Sequence, residues 1–154
     1  MRTISEGSTV EDFELPDQDG TPVRLSEVLA RGPVVLFFYP AAMTSGCTRE
    51  ACHFRDLRAE FAAVGAQRLG ISVDPVARQK EFADAHGFDY PVLSDESGDV
   101  ARAFGVKRRH LTPVKRATFV IDPDRTVRTV VTSELSMAVH ADRALAALRP
   151  AAPG

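Results

Sequence analysis

The chain has no tryptophan, only two cysteines and two tyrosines, and its longest apolar run, Pro33 to Pro40, is short. A membrane-spanning helix needs roughly 20 apolar residues, so none is expected here. The opening segment Met1-Arg2-Thr3-Ile4-Ser5-Glu6-Gly7 lacks the apolar stretch of an export signal, which predicts a cytoplasmic protein. Charge of one sign is missing as well. The formal net charge is −2, the pI is near 6.1, and Lys and Arg are scattered. That leaves no footprint for nucleic acid or an anionic membrane, and a small neutral substrate fits better. Two cysteines in a reducing compartment point to catalysis, redox sensing or metal binding rather than a permanent bridge. For a metal, Cys47, Cys52 and His53 have no fourth ligand and no paired Cys-x-x-Cys, so no metal is expected. His86, His110 and His140 stand singly and read as solvated or packed, and Lys107-Arg108-Arg109-His110 as an exposed loop. Repeats, low-complexity stretches and linkers are absent too. The expectation is one domain over 1–154 with one core, the last residues Pro150 to Gly154 forming a flexible tail.

What is present alternates between two periodicities. Asp12 to Leu15 and Pro22 to Leu25 flank Asp17-Gln18-Asp19-Gly20, an N-terminal hairpin with an Asp-Gly turn. Val34 to Tyr39 is continuously apolar, β-branched and aromatic, which predicts a central strand covered on both faces. Ala51, Phe54, Leu57 and Phe61 then recur at helical spacing, predicting one amphipathic helix from Gly46 to Val64. Further strands are expected over Arg68 to Val73, Ala117 to Ile121 and Thr126 to Val131. Helices are expected over Pro75 to His86 with Asp74 as N-cap, Gly98 to Phe104, and Val139 to Arg149. This order predicts an α/β fold with a mixed central sheet and helices on both faces.

Cys47 falls in the first turn of a helix entered directly from the central strand. Unpaired backbone N–H groups and the helix dipole favour an anion there, and the thiolate is the reactive form of cysteine. The same position also suits a small buried residue closing a helix end. The neighbourhood Tyr39-Pro40-Ala41-Ala42-Met43-Thr44-Ser45-Gly46-Cys47 contains Pro-x-x-x-Thr-x-x-Cys, the active-site motif of the peroxiredoxins. Together with Cys47-Thr48-Arg49-Glu50-Ala51-Cys52-His53-Phe54, it closely resembles the PrxQ subfamily, the bacterioferritin comigratory proteins. Phe13 to Asp17, Gly70 to Asp74, Tyr90 to Asp95 and Arg116 to Asp122 extend that resemblance over nearly the whole chain.

The resemblance implies a thioredoxin-like fold with an added N-terminal hairpin and an insertion near residues 88 to 115. It also implies that Cys47 attacks a hydroperoxide and that Cys52 resolves the sulfenic acid as an intramolecular disulfide, which thioredoxin or a similar dithiol reduces. No metal, flavin or haem is required, and a monomer is implied. Pro40 would shield the sulfur, Thr44 would offer its hydroxyl to thiolate and peroxide, Arg116 would reach the site, and Glu50 would orient Arg116. Met43, Phe38 and Phe54 are candidates for an apolar wall favouring alkyl peroxides. Many relatives carry proline where this chain has Ser45, and charged residues where it has Ala41 and Ala42. Two rivals use the same cysteines: a thiol-disulfide oxidoreductase, which would need Cys-x-x-Cys at this junction, and a redox sensor without turnover. Helix geometry adds a constraint. Five residues apart in an intact helix, Cys47 and Cys52 have Cα atoms about 8.6 Å apart and face different sides. A disulfide needs about 7 Å or less, so the helix must unwind over roughly residues 46–53 for the bond to form.

Overall fold

The computed structural model describes residues 2–108 and 113–150. Strands β1 (Glu14–Pro16) and β2 (Pro22–Arg24) pair antiparallel as the expected hairpin. They lead into a short helix, α1 (Leu25–Leu29). Next come β3 (Val34–Phe38), α2 (Ser45–Asp56), α3 (Arg58–Ala63), β4 (Gln67–Ser72) and α4 (Val76–His86). The chain finishes with β5 (Val92–Ser94), α5 (Asp99–Ala103), β6 (Ala117–Ile121), β7 (Val127–Thr132) and α6 (Ala138–Leu148). The main sheet has the order β5-β4-β3-β6-β7. β3, β4 and β5 run parallel to one another, and β6 and β7 are antiparallel to their neighbours.

Every residue of β3 is buried, as its unbroken apolar run requires. Because side chains alternate along a strand, β3 feeds two cores. Val34, Leu36 and Phe38 pack with α1 and α5 through Leu25, Leu29, Val100 and Phe104. Val35, Phe37 and Tyr39 pack on the other face with Cys47, Ala51 and Phe54 of α2, Phe82 of α4 and Ala141 and Leu145 of α6. Gly70 makes room for this second core, since a Cβ there would lie 3.0 Å from Phe37 and from Val92. Phe37 uses that room to stack on Phe54 with ring centroids 4.1 Å apart, which fixes α2 against the sheet.

Several expectations need correction. The helix anticipated from Gly46 to Val64 is two: Leu57, at φ −90° and ψ 21°, breaks it after Asp56, and α3 follows. Both pieces keep the apolar spacing, which is why periodicity did not register the break. Asp74 does not cap α4; Pro75 holds that position, and the Asp74 carboxylate bonds elsewhere. Within the anticipated insertion, Val92–Ser94 is an integral edge strand of the sheet. Helix α1 was not anticipated, because five residues are too few to display a period. Arg109, His110 and the tail from Ala151 onward lie outside the described residues. No helix among those described is long and apolar enough to cross a membrane.

Candidate active site

β3 stops at Phe38, the chain turns through Pro40 to Thr44, and α2 begins at Ser45, so Cys47 enters the first helical turn. Its side chain is buried, at 1% exposure. The sheet register delivers the second component. Ala117 lies opposite Phe38 across the antiparallel β3–β6 pair, which brings Arg116, one residue earlier, to the end of β3 where α2 starts. Arg116 is buried and forks: Nη2 donates to Cys47 Sγ at 3.3 Å and Nη1 donates to Glu50 Oε1 at 2.6 Å. Its backbone N–H donates to Glu134 Oε1 at 3.1 Å, an oxygen that also accepts from Arg108 at 2.7 Å. Arg116 thus meets two residues of α2 from a distant part of the sequence in one buried cluster, with a planar fork suited to holding two acceptors at once.

Glu50 is fully buried, and burial pushes its carboxyl up to about 8 against the pull of Arg116. Its Oε2 has no hydrogen-bond partner among the described residues. Behind it lies His140, fully buried on α6, with Nδ1 3.7 Å from Oε2. His140 Nε2 is 2.8 Å from the Ser133 carbonyl and Nδ1 is 2.9 Å from Thr118 Oγ1. Burial lowers the His140 pKa, so the ring disfavours a charge of its own. Of the two readings held for this histidine, packed is correct. Its place behind Glu50 had no signal, because residues 50 and 140 share no motif. His86 is also packed, against Phe82 and Phe88.

The loop before α2 has an anchor that sequence reasoning missed. The Ala42 N–H donates to Asp74 Oδ2 at 2.7 Å, and the Ser72 hydroxyl donates to the same oxygen at 2.6 Å. Gln79 donates to Ser72 Oγ at 3.0 Å and accepts from the Tyr39 hydroxyl at 2.5 Å, so a buried network ties loop, sheet and α4 together. Pro40 is buried in this loop. Thr44 is exposed as the residue preceding α2, and its hydroxyl donates to the Ala41 carbonyl at 2.8 Å, leaving oxygen lone pairs free to accept. Met43, at φ 69°, adopts the left-handed conformation unusual for a side-chain-bearing residue and is 40% exposed.

The expected apolar wall needs revision. Phe38 belongs to the core on the opposite face of the sheet from Cys47, and Phe54 is stacked on Phe37. Met43 stays at the surface. The other methionine nearby is Met137, whose sulfur lies 3.5 Å from where a Cβ on Gly46 would sit, beside Arg116 at the same distance.

Cys52 lies on the same unbroken helix, half-buried, and neither cysteine is bonded to the other. Burial pushes its thiol up, with Arg55 pulling it partly back. Around it α2 is pinned from outside. The Tyr90 hydroxyl donates to the Ala51 carbonyl at 2.6 Å, Arg68 donates to the Phe54 carbonyl at 2.8 Å, and His53 meets Asp142 of α6 at 2.7 Å. Among the described residues no cluster of three or more metal-ligating side chains occurs.

Comparison with known proteins finds relatives over most of the chain. Residues 7–130 match the AhpC/TSA family. A Mycobacterium tuberculosis protein named as a peroxiredoxin is 65% identical over 149 residues, covering 95% of this chain and 97% of that one. The chloroplastic peroxiredoxin Q of Gentiana triflora is 39% identical, covering 96% of this chain and 68% of the relative. Among solved structures, peroxidoxin BcpB of M. tuberculosis superposes with a TM-score of 0.90 at 66% identity, covering 93% of this chain and 95% of that one. The bacterioferritin comigratory protein of Xanthomonas campestris, solved in connection with its alkyl peroxide reduction, gives 0.82 at 31% identity, covering 92% and 97%.

Proposed function

From the premise that the chain belongs to the AhpC/TSA family and is a peroxiredoxin of the Q type, we propose that Cys47 is the peroxide-attacking thiolate and Cys52 the thiol that resolves it. The observation that carries this reading is the Arg116 fork, which sets a guanidinium donor 3.3 Å from a buried cysteine sulfur in the first turn of a helix. The thiolate attacks one oxygen of a hydroperoxide and the O–O bond breaks. Cys47 becomes sulfenic acid, and the departing alkoxide or hydroxide takes a proton from water to leave as alcohol or water. The Arg116 guanidinium stabilises the thiolate beforehand and the negative charge shifting onto oxygen during attack. Thr44, with its lone pairs free, accepts the peroxide O–H, and Pro40 limits water at the sulfur.

Oxidation also prepares the next step. Once Cys47 is neutral, its charge-assisted bond to Arg116 is lost, and the first turns of α2 unwind more readily. Cys52 then attacks the sulfenic sulfur, expelling water and forming the disulfide. An external dithiol, thioredoxin or a similar protein, supplies two electrons to regenerate both thiols. Hydrogen peroxide and organic hydroperoxides are both substrates in this reading. The activity at the family neighbour from X. campestris makes alkyl peroxides the first to test.

One coupled assay tests the reading. With thioredoxin, thioredoxin reductase and a nicotinamide, the protein should consume peroxide over many turnovers, whereas a single stoichiometric burst would identify a redox sensor instead. Cys47→Ser should abolish consumption. Cys52→Ser should consume one equivalent and stop at sulfenic acid, moving to sulfinic acid in excess peroxide, as mass spectrometry would show. Normal cycling by Cys52→Ser would overturn the role of Cys52.

A further inference from the structure

His140 plays no part in the reaction just described, yet it is completely buried behind the Arg116–Glu50 pair. Its protonation is fixed on one side. The Ser133 carbonyl, 2.8 Å from Nε2, can only accept, so Nε2 carries a hydrogen. On the other side Nδ1 faces two oxygens, Thr118 Oγ1 at 2.9 Å and Glu50 Oε2 at 3.7 Å. Thr118 can donate or accept as required. Glu50 Oε2 cannot adapt: as part of a carboxylate it has no donor among the described residues, because Nδ1, 3.7 Å away, lies beyond hydrogen-bond reach and presents only a lone pair, the one to which Thr118 can donate. A buried acceptor left in that state is costly. One proton on the pair, as the Glu50 acid or as the His140 imidazolium, removes the uncompensated carboxylate, and a slight closing of the 3.7 Å gap would let it bridge Oε2 and Nδ1.

The charge balance points the same way. Cys47 thiolate and Glu50 carboxylate would place two negative charges on the one buried guanidinium of Arg116. With a proton on the Glu50–His140 pair, the cluster of thiolate, guanidinium and pair is neutral, and Arg116 serves the sulfur without competition. We infer that Glu50 and His140 together hold one proton beyond the Nε2 hydrogen, and that His140 is thereby a positioning residue keeping Arg116 committed to Cys47. The other titratable or charged groups facing the pair are Arg116 at the start of β6, Glu134 in the loop before α6, and Tyr90 ahead of β5. Glu134 opposes loss of the proton, since its negative charge raises Glu50; Arg116 favours the loss. This inference rests on the proposed role of Cys47 for its effect on rate but not for its effect on the proton.

The proton is observed directly by ring 15N NMR of histidine-labelled, reduced protein titrated with no peroxide present. His140 Nε2 should stay protonated throughout, while Nδ1 should pass through a transition above neutral pH as the shared proton leaves. Glu50→Gln, which cannot exchange a proton with the ring, should abolish that transition. A His140 Nδ1 signal that shows no such transition, or that shows it unchanged in Glu50→Gln, would overturn the inference. The rate effect is read from the second-order constant of Cys47 with hydroperoxide across the same pH range. His140→Phe removes the polar atom nearest the Glu50 proton, so the alkaline fall in rate should begin about one pH unit earlier, giving a loss of about fivefold near pH 8, approaching tenfold above about pH 9, and little change near pH 6. His140→Asn places a carbonyl near the Nδ1 position and should restore the wild-type limb. Equal slowing at every pH, in Phe and Asn alike, would reduce His140 to a packing role. Should no peroxide be consumed by the wild type, the function would be wrong while the NMR result still decided the proton.

Discussion

At the scale of single residues, the site depends on the difference between a fork and a point charge. Arg116 donates to the Cys47 sulfur and to Glu50 simultaneously, which a lysine ammonium cannot do with the same geometry. Arg116→Lys keeps the positive charge, so the protein should fold and retain a thiolate, yet its peroxide step should slow by about 10² or more, the effect of losing one transition-state donor. Stopped-flow consumption of a limiting peroxide measures this, and an unchanged constant would show that the fork has no role. Glu50 makes a separate prediction about stability. Its folded value near 8 lies above the ordinary 4.5, so between those values the folded protein holds a proton that the unfolded chain has released. Its contribution is full below about pH 4.5, declines as pH rises, and is lost above about pH 8. Denaturant midpoints for wild type should therefore fall relative to Glu50→Gln between about pH 5 and 9, and parallel curves would contradict the upward shift. Cys47, Arg116 and Glu50 were legible in the sequence because a motif or a family segment surrounds each. Asp74 and His140 were not: their partners are a backbone N–H in the 40–46 loop and a carboxylate ninety positions away in sequence, and a short-range pattern encodes neither.

At the scale of elements, α2 has to be both the scaffold of the peroxide site and the segment that opens. Its inner face carries Cys47, Glu50, Ala51 and Phe54, all buried, and its amphipathic spacing was readable. The end at Asp56 was not, because Leu57 and Phe61 continue the apolar face across the break. The opening is bounded by outside contacts. Tyr90 holds the Ala51 carbonyl and Arg68 holds the Phe54 carbonyl, so unwinding that starts at Ser45 and has released Arg116 meets its first side-chain hold on the backbone at Ala51 and a second at Phe54. Tyr90→Phe removes the first at a cost of about 1 kcal/mol, typical of one neutral hydrogen bond. The expected result is disulfide formation about fivefold faster, while the initial attack on peroxide stays the same, as double-mixing stopped flow would resolve. Slower or unaltered disulfide formation would mean that unwinding stops short of Ala51. Burial raises the Cys52 thiol in the intact helix, so resolution should also accelerate with rising pH as more thiolate becomes available.

At the scale of the whole molecule, the mixed sheet was legible in β3 and in the order of strands and helices. Edge strand β5 and helix α1 were too short to show a period, and it was the sheet register that placed Arg116 against Cys47. The same architecture sets the energetic consequence of oxidation. A disulfide normally stabilises a protein by restricting the unfolded chain, but the loop from Cys47 to Cys52 is so short that chain-entropy reasoning allows only about 2 kcal/mol. Against this stands the opening of α2 in the folded state. Cys47 and Ala51 leave the second core, the helical hydrogen bonds of residues 46–53 are lost, and the Glu50–Arg116 pair is broken, leaving a buried guanidinium to be rehydrated. With Glu50 protonated near neutral pH, that contact is a hydrogen bond to a charged group, whose loss costs about 1.5–3 kcal/mol. Release of Glu50 to water with its segment and the chain entropy regained there reduce that figure without reversing it. The oxidised protein should therefore be less stable than the reduced one, by about 1–2 kcal/mol, a fall of several degrees in Tm for a chain of this size. Thermal melts of the two forms, with Cys52→Ser as a control that cannot cross-link, measure the difference. Amide exchange should locate it, with protection lost over residues 46–53 and retained in β3, β4 and β6. An oxidised form that melts higher, with α2 still protected from exchange, would mean that the disulfide forms without unwinding, against the geometry of an intact helix.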